Sequence, residues 1–349
     1  MLKASSVNIK ANIFVVLLMV MSLLSFILAL SFGAAQISFV EVIENLFSNF
    51  STQLLNQAET SPYAFVDKII WQLRMPRTLL AFLAGAGLAM SGLILQTVTR
   101  NPLADPYLFG ISSGASFGVV ILVVLLGINS GIAMSVAAFL GSLVAMLCLL
   151  LIAGSKQSHQ VESMLLAGVA LSFLFSSFTS LMLYLTDPQA VTSILFWTLG
   201  SFARASWDNL LFPAVVISLC IIFMLAYRRQ LNAMLLGDES ATTLGINVNR
   251  FRMMMLILSS LLTATLVSLC GGIGFVGLMI PHIVRFFISQ GTSAGLLLTA
   301  LVGGIFMIWV DILSRVILTN QELPVGVITA AIGSLFFLSL LYFRKHKST

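Results

Sequence analysis

An all-α polytopic membrane protein of about ten spans is the fold class this sequence predicts, and three observations carry the prediction. Hydrophobic residues make up 59% of the 349 and charged residues only 8%, giving a mean hydropathy of +1.08. That is more apolar side chain than a soluble core of this size can bury. Apolar runs near the ~20 residues a helix needs to cross a bilayer recur along the chain. They leave no room for a large soluble domain, so residues 1–349 read as a single transmembrane domain. The basic residues stand one or two at a time between these runs, which is how topology signals are placed. The net charge of +5 therefore reports membrane orientation, and nucleic acid is not a partner.

In chain order, Lys3 and Lys10 precede an apolar stretch from Ile13 to about Phe32. Gly33-Ala-Ala35 imitates a signal-peptide cleavage site, yet the run exceeds the 7–15 residues of a signal core, so it reads as the first span. Residues 33–73 follow as the longest polar connection, acidic and lysine-poor, and are assigned to the outer face. Arg74-Met-Pro-Arg77 opens a second span over about 78–98, with Pro76 in the first turn where its missing N–H costs little. Gly110, Gly114 and Gly118 recur every four residues in the third span, a ladder that lets two helices approach closely. Further spans are expected over 132–153, 164–185 and 210–227. Asp187–Asp208 lies between the last two as an outer connection whose Phe196, Trp197, Phe202 and Trp207 suit an aromatic belt. Residues 253–287 are too long for one crossing. Broken at Gly271–Gly277 and Pro281, they divide into an outward span and a shorter return. Spans over 294–318 and from about 325 to Arg344 complete the set.

This division places Lys3, Lys10, Arg100, Lys156, Arg228, Arg229, Arg250, Arg252, Arg285, Arg344, Lys345 and Lys347 inside. Only Lys68, Arg74, Arg77, Arg204 and Arg315 fall outside, so the bias is positive-inside and both termini are cytoplasmic.

The most informative stretch is polar. Residues 228–252 run from Arg228 and Arg229 through Leu236-Gly-Asp-Glu-Ser-Ala-Thr-Thr-Leu-Gly245 to Arg250 and Arg252. Leu235, Leu236, Ala241 and Leu244 recur near helical spacing, so the segment reads as a brief amphipathic helix outside the membrane. Either it docks a soluble partner or it merely connects two spans.

Other motifs carry less. Gly272-Ile-Gly-Phe-Val-Gly277 matches the dinucleotide pattern, but no strand precedes it and no acid follows at the required distance. Its glycines are better suited to a tight turn or close packing in the bilayer. The chain has no phosphate-binding loop of the G-x-x-x-x-G-K-[ST] type, so ATP and Mg, if used, are bound by a partner and no cofactor by this chain. No catalytic set and no metal-ligand spacing converge, and Cys148, Cys220 and Cys270 read as small hydrophobes. Ser172, Ser176, Ser177, Thr179 and Ser180 either line a path or bond back to their own helix. Asp311 is the one acid expected inside a span. It is a functional candidate, or it simply pairs with Arg315 one turn later. Arg74, Arg77 and Arg315, on the side opposite most cations, either recognise carboxylates or snorkel.

Taken together, Arg74-Met-Pro-Arg-Thr78, Gly85-Ala-Gly87 with Gln96, Asn101-Pro-Leu-Ala-Asp-Pro106, Gly110-Ile-Ser-Ser-Gly114 and Leu165-Leu-Ala-Gly-Val-Ala170 form one ordered set. With Leu236-Gly-Asp-Glu-Ser-Ala241, Leu244-Gly245, Gly274-Phe-Val-Gly-Leu-Met-Ile-Pro-His-Ile-Val-Arg285 and Glu322-Leu-Pro-Val-Gly326, it resembles the FecCD family from about residue 70 onward. These are permeases of binding-protein-dependent ABC importers for ferric siderophores, haem and cobalamin. The resemblance implies a type II importer permease fold in the bacterial inner membrane. It implies pairing with a second permease chain, identical or paralogous, two cytoplasmic ATPase subunits and a periplasmic or lipid-anchored binding protein.

By position it places the ATPase-coupling role on Leu236, Gly237, Asp238, Glu239, Ala241, Thr242, Leu244 and Gly245. It places binding-protein contact on Arg74, Arg77 and Arg315, and the inner gate on Asn101, Leu103, Val161 and Glu162, with Ser172 and Ser176 along the path. Val161 and Glu162 depart from the small hydroxyl residues of the family pattern and set an acid beside the implied gate. A ferric siderophore is the expected cargo, with haem or cobalamin as the alternative. An ion-coupled transporter would instead need several buried acids near the midplane, and a scaffold would show no coupled hydrolysis.

Overall fold

The computed structural model describes residues 2–33, 35, 37–55, 64–153, 161–288, 293–319 and 321–346. Among these the chain is helical and has no strand. The helices are α1 (Leu2–Ser31), α2 (Phe39–Leu55), α3 (Ala64–Lys68), α4 (Met75–Thr99), α5 (Ile111–Val120), α6 (Gly131–Ala153), α7 (Val161–Tyr184) and α8 (Pro188–Thr198). After these come α9 (Trp207–Ala226), α10 (Arg228–Leu235), α11 (Asp238–Thr243), α12 (Val248–Cys270), α13 (Val276–Arg285), α14 (Ser293–Val316) and α15 (Val325–His346). Among the described residues 8 helices are long and apolar enough to cross a membrane, and the shorter apolar helices Ile111–Leu125 and Val276–Arg285 accompany them. Each expected span has its counterpart.

α4 is the axis. Its small residues, Ala81, Ala84, Gly85, Ala86, Ala89 and Gly92 among them, are buried almost without break, and α14, α12, α13, α9 and α1 pack around it. The glycines are there for backbone contact. A Cβ on Gly85 would lie 2.0 Å from the Gly303 carbonyl oxygen of α14, and one on Gly92 would lie 1.9 Å from that of Gly277 in α13. Between α4 and α12 a hydroxyl knot adds polar glue: Ser91 Oγ lies 2.7 Å from Ser259 Oγ and 2.8 Å from Thr263 Oγ1.

Several expectations change in detail. The second span does not start at 78. A π-helical turn over Ile69–Arg74 joins α3 to α4, so the apolar helix runs from Phe65 to Thr99. The wider turn lets the chain pass Pro76, which has no N–H to give the ladder, without ending the helix. The 33–73 connection contains α2 as an amphipathic helix.

Of the glycine ladder, Gly114 and Gly118 do pack backbone to backbone, on Gly141 and Ala137 of α6. Gly110 instead takes φ +78° and caps a 3-10 turn, Pro106–Phe109, whose first N–H is held by Asp105. The aromatic belt is half a belt. Phe196 and Trp207 are exposed, but Phe202 is fully buried and Trp197 nearly so, because α8 turns back into the bundle.

The Gly271–Gly277 stretch makes the tight turn its composition suggests. Gly271 has φ +73°, and a Cβ there would meet the Trp197 carbonyl at 2.1 Å. Main-chain bonds from Ser201 to Cys270, Gly272 to Thr198, Val325 to Gly200 and Gly326 to Leu199 knit the ends of α8, α12 and α15 together. The main-chain groups freed by this non-helical stretch are thus satisfied within the protein.

Candidate functional site

Two polar clusters occupy opposite ends of the bundle. The first is built on residues 228–252. This segment folds as two short helices rather than one, broken at Gly237, whose φ of +114° few other residues adopt. Leu231, Ala233 and Met234 of α10 and Ala241 of α11 are buried against the bundle. Leu235 (43%), Leu236 (72%) and Leu244 (65%) are left exposed, an apolar face on a membrane-external element. Glu239, Thr242 and Gly245 share that surface, while Thr242 and Thr243 bond back to the carbonyls of Asp238 and Glu239.

Asp238 faces the other way. It accepts two hydrogen bonds from Arg252 Nη2, at 2.9 and 2.8 Å, and lies 3.3 Å from Arg100 Nη2. Arg252 in turn donates through Nε to the Val98 carbonyl at 3.1 Å, occupying one of the orphan acceptors of the last turn of α4. One carboxylate thus ties α11, the start of α12 and the end of α4 into a single unit. The sequence placed Asp238 on the docking face, and the geometry gives it the inner side of that face.

Beside this unit lies the turn after α4. Arg100 takes a left-handed conformation (φ +52°), the Leu103 N–H donates to Asn101 Oδ1 at 2.9 Å, and Leu103 is 57% exposed. Asn101 and Leu103 are therefore at the same end as α10 and α11. Val161 and Glu162 open α7, and their side chains lie outside the described residues. Ser172 bonds back to the Gly168 carbonyl, whereas Ser176 faces Ser113 of α5 at 3.4 Å. Back-bonding to its own helix is thus realised by Ser172, while Ser176 contacts a neighbouring helix. Asp105, buried in the same turn, has its carboxyl pushed up to about 6 by loss of solvation, opposed by the Tyr107 N–H.

The second cluster holds the three arginines expected on the far side. Arg74 donates through Nη1 to the carbonyls of Leu30 (2.6 Å) and Ser31 (2.9 Å), and through Nη2 to that of Ala35. Arg315 does the same with Ala29 and Phe32, at 3.3 and 2.8 Å. Both therefore cap the C-terminal end of α1. Arg77 holds two acids of its own chain: Nε meets Asp311 at 2.8 Å and Nη1 meets Glu322 at 2.7 Å. Arg315 Nη2 lies 3.0 Å from Asp311 Oδ2 as a charge contact without hydrogen-bond alignment.

Asp311 is 1% exposed; the expected pairing with Arg315 is present as a charge contact, but the hydrogen-bonded partner of Asp311 is Arg77, which was not foreseen. Sequence reasoning set these arginines facing a partner. The guanidiniums are in fact sunk inside the bundle, at 5% exposure for Arg74 and 9% for Arg77. Carboxylate recognition is there, but the carboxylates are internal. Glu322 was missed as a member of the cluster, because nothing local to it signals a partner 245 positions away.

The directions of the helices follow from these contacts. The ends of α1 and α14 and the start of α15 meet at the arginine cluster, so the N-terminal end of α1 and the C-terminal end of α15 both lie towards α10 and α11.

Comparison with known proteins agrees with this architecture. Residues 18–343 match the profile of the FecCD transport family. The cobalamin import system permease protein BtuC of Halobacterium salinarum is 38% identical over 279 residues, covering 79% of this chain and 74% of that one. The hemin transport system permease protein HmuU of Yersinia pestis is 37% identical over 281 residues, covering 78% and 83%. A solved inward-facing structure of a metal-chelate type ABC transporter superposes with a TM-score of 0.80 at 31% identity, covering 95% of this chain and 99% of that one.

Proposed function

Because the chain belongs to the FecCD transport family, the membrane-spanning permeases of ABC importers for iron chelates, haem or cobalamin, we propose that it carries an iron–siderophore complex inward by ATP-driven alternating access. In this reading it is a multi-pass subunit of the bacterial inner membrane with both termini in the cytoplasm, paired with a second permease chain. It makes no bond chemistry. ATP and Mg belong to two cytoplasmic ATPase subunits, and a periplasmic or lipid-anchored binding protein delivers cargo at the arginine-cluster end.

The observation that carries the proposal is the exposed apolar face of Leu235, Leu236 and Leu244 on an element clamped to α4 through Asp238, Arg252 and Arg100. A leucine that is buried by a partner contributes about 1.5–3 kcal/mol, enough for this face to hold a subunit in detergent. Because the clamp reaches the end of α4, displacement of α11 is delivered to the central helix. Asn101, Leu103, Val161 and Glu162 stand at the same end and form the inner gate, with Ser172 and Ser176 on the path beyond. At the opposite end, Arg77 Nη2 has no hydrogen-bond acceptor among the described residues, and its partner Glu322 is 46% exposed. The binding protein docks over this cluster through the partly exposed Glu322, with Arg74, Arg77 and Arg315 fixing the surface from beneath.

The cargo rests on the metal-chelate neighbour, which spans nearly the whole of both chains, against shorter matches to cobalamin and hemin permeases. The test is purification of the tagged chain with its ATPase subunits, before and after Leu236→Glu and Leu244→Glu. Both side chains are solvent-facing, so the variants should melt at the wild-type temperature yet lose the ATPase and substrate-stimulated hydrolysis. Retention of a fully stimulated ATPase by the double variant removes this face from the coupling role. Uptake of radiolabelled ferric siderophore, haem and cobalamin by reconstituted vesicles separates the cargoes.

A further inference from the structure

Away from both clusters, a cleft of about 470 Å³ opens between the first turns of α6 and α9, towards the arginine-cluster end. Its size lies within the range of about 300–1,000 Å³ typical of small-molecule sites. Its flanks are lipid-facing. Ile132, Val136 and Leu140 of α6 and Phe212 of α9 are exposed apolar side chains that line it, and an edge-to-face contact between Phe139 and Phe212, 5.9 Å apart, bridges the two helices across it.

The mouth is polar and carries both signs. Arg204, Asp208 and Asn209 line it. Among the described residues neither Arg204 nor Asp208 enters an ion pair, and the nearest polar contact of Arg204 is the Met134 sulfur at 3.8 Å. A cavity with a hydrocarbon wall, a membrane-level opening and a separated cation and anion at its rim matches an amphiphile whose head bears both charges. A soluble cargo would meet an apolar wall, and a purely anionic head would meet Asp208.

We propose that this cleft seats one acyl chain of a zwitterionic phospholipid, its phosphate at Arg204 and its ammonium at Asp208. The lipid fills space that neither helix fills and adds to the Phe139–Phe212 contact in fixing the spacing of α6 and α9. Guanidinium on phosphate is the stronger of the two contacts, being charge-assisted and able to donate twice.

The experiment uses the assembled transporter in detergent, supplied with phosphatidylethanolamine or phosphatidylglycerol and read by native mass spectrometry. We expect retained phosphatidylethanolamine, with phosphatidylglycerol held more weakly. Ser135→Trp, which fills the cleft, should cut retention about fivefold or more, and Arg204→Gln should do so about fivefold through loss of one charged contact. Asp208→Asn should move the preference towards phosphatidylglycerol. Leu211→Trp, on the exposed face of α9 outside the cleft, should change nothing. Should Ser135→Trp fail to assemble, the Arg204 and Asp208 variants decide the matter by themselves. Equal retention of the two lipids by the wild type, retention of detergent alone, or an unchanged preference in Arg204→Gln and Asp208→Asn overturns the assignment.

Discussion

Removing the Asp238 carboxylate tests most directly how the external helices are tied to the membrane core. In Asp238→Ala the Arg252 guanidinium, only 4% exposed, loses two hydrogen bonds of 2.9 and 2.8 Å and keeps only the Val98 carbonyl. Breaking a fully buried pair costs about 3–5 kcal/mol, and hydrogen bonds to charged groups contribute about 1.5–3 kcal/mol. Because Asp238 is 40% exposed on its own side, water screens part of the loss, and we expect about 2 kcal/mol. The Arg100 contact, 3.3 Å long with both partners more than a third exposed, should add no more than a few tenths of a kcal/mol.

The assay is a double-mutant cycle of Asp238→Ala and Arg252→Met, read by thermal unfolding of the purified permease and by ATPase stimulation in the assembled transporter. The cycle should give a coupling energy of about 1–2 kcal/mol in stability. Asp238→Asn, which keeps the shape and one acceptor, should lower stimulated hydrolysis more than stability. A coupling energy indistinguishable from zero, with stimulation intact in every variant, refutes the argument that this carboxylate links α11 to α4.

Other perturbations have equally definite outcomes. Gly92→Ala places a methyl 1.9 Å from the Gly277 carbonyl, forcing α4 and α13 apart at about 3 kcal/mol; its yield of folded, detergent-stable protein should fall sharply, while Gly131→Ala, with open space around it, should be silent. Ser91→Ala should cost about 1 kcal/mol in thermal unfolding, the usual value of an interhelical hydroxyl bond in a membrane. Asp105 binds its proton more tightly folded than unfolded, because burial raises its carboxyl to about 6. Its ionisation therefore opposes folding above that pH, and acidifying from pH 7 to 5 should stabilise the wild type by about 1 kcal/mol relative to Asp105→Asn. A parallel pH profile for the two proteins contradicts this. Arg77→Gln removes the cation shared by Asp311 and Glu322, and should destabilise by about 3 kcal/mol while Glu322→Gln, whose side chain is partly solvated, costs less than 1 kcal/mol.

The spans were legible because crossing a bilayer demands length and apolarity, and both are written locally. That is why even the awkward division of 253–287 has its counterpart in α12 and α13. The exposed leucines of 228–252 were legible for the same reason: helical spacing outside a hydrophobic run. What the sequence did not disclose is pairing at a distance. Arg77 finds Asp311 and Glu322 more than two hundred positions away, and Arg74 finds carbonyls that carry no side-chain signature at all. An arginine count by side therefore suggested an outward-facing surface where the guanidiniums turn inward. Trp197 and Phe202 misled similarly, since a segment packed into the bundle and an interfacial belt call for the same aromatic residues.

The junction of α8, α12 and α15 has a mechanical corollary. Its four cross-links run from main chain to main chain, so the side chains able to loosen them are those added at Gly200, Gly271, Gly272 or Gly326, where even a Cβ would meet a carbonyl oxygen at 2.1–2.6 Å. α12 starts beside the leucine-faced helices and ends in this knot. Moving α12 at its N-terminal end must therefore carry the ends of α8 and α15 with it, a linkage that resides in the backbone weave and asks nothing of the side chains around it.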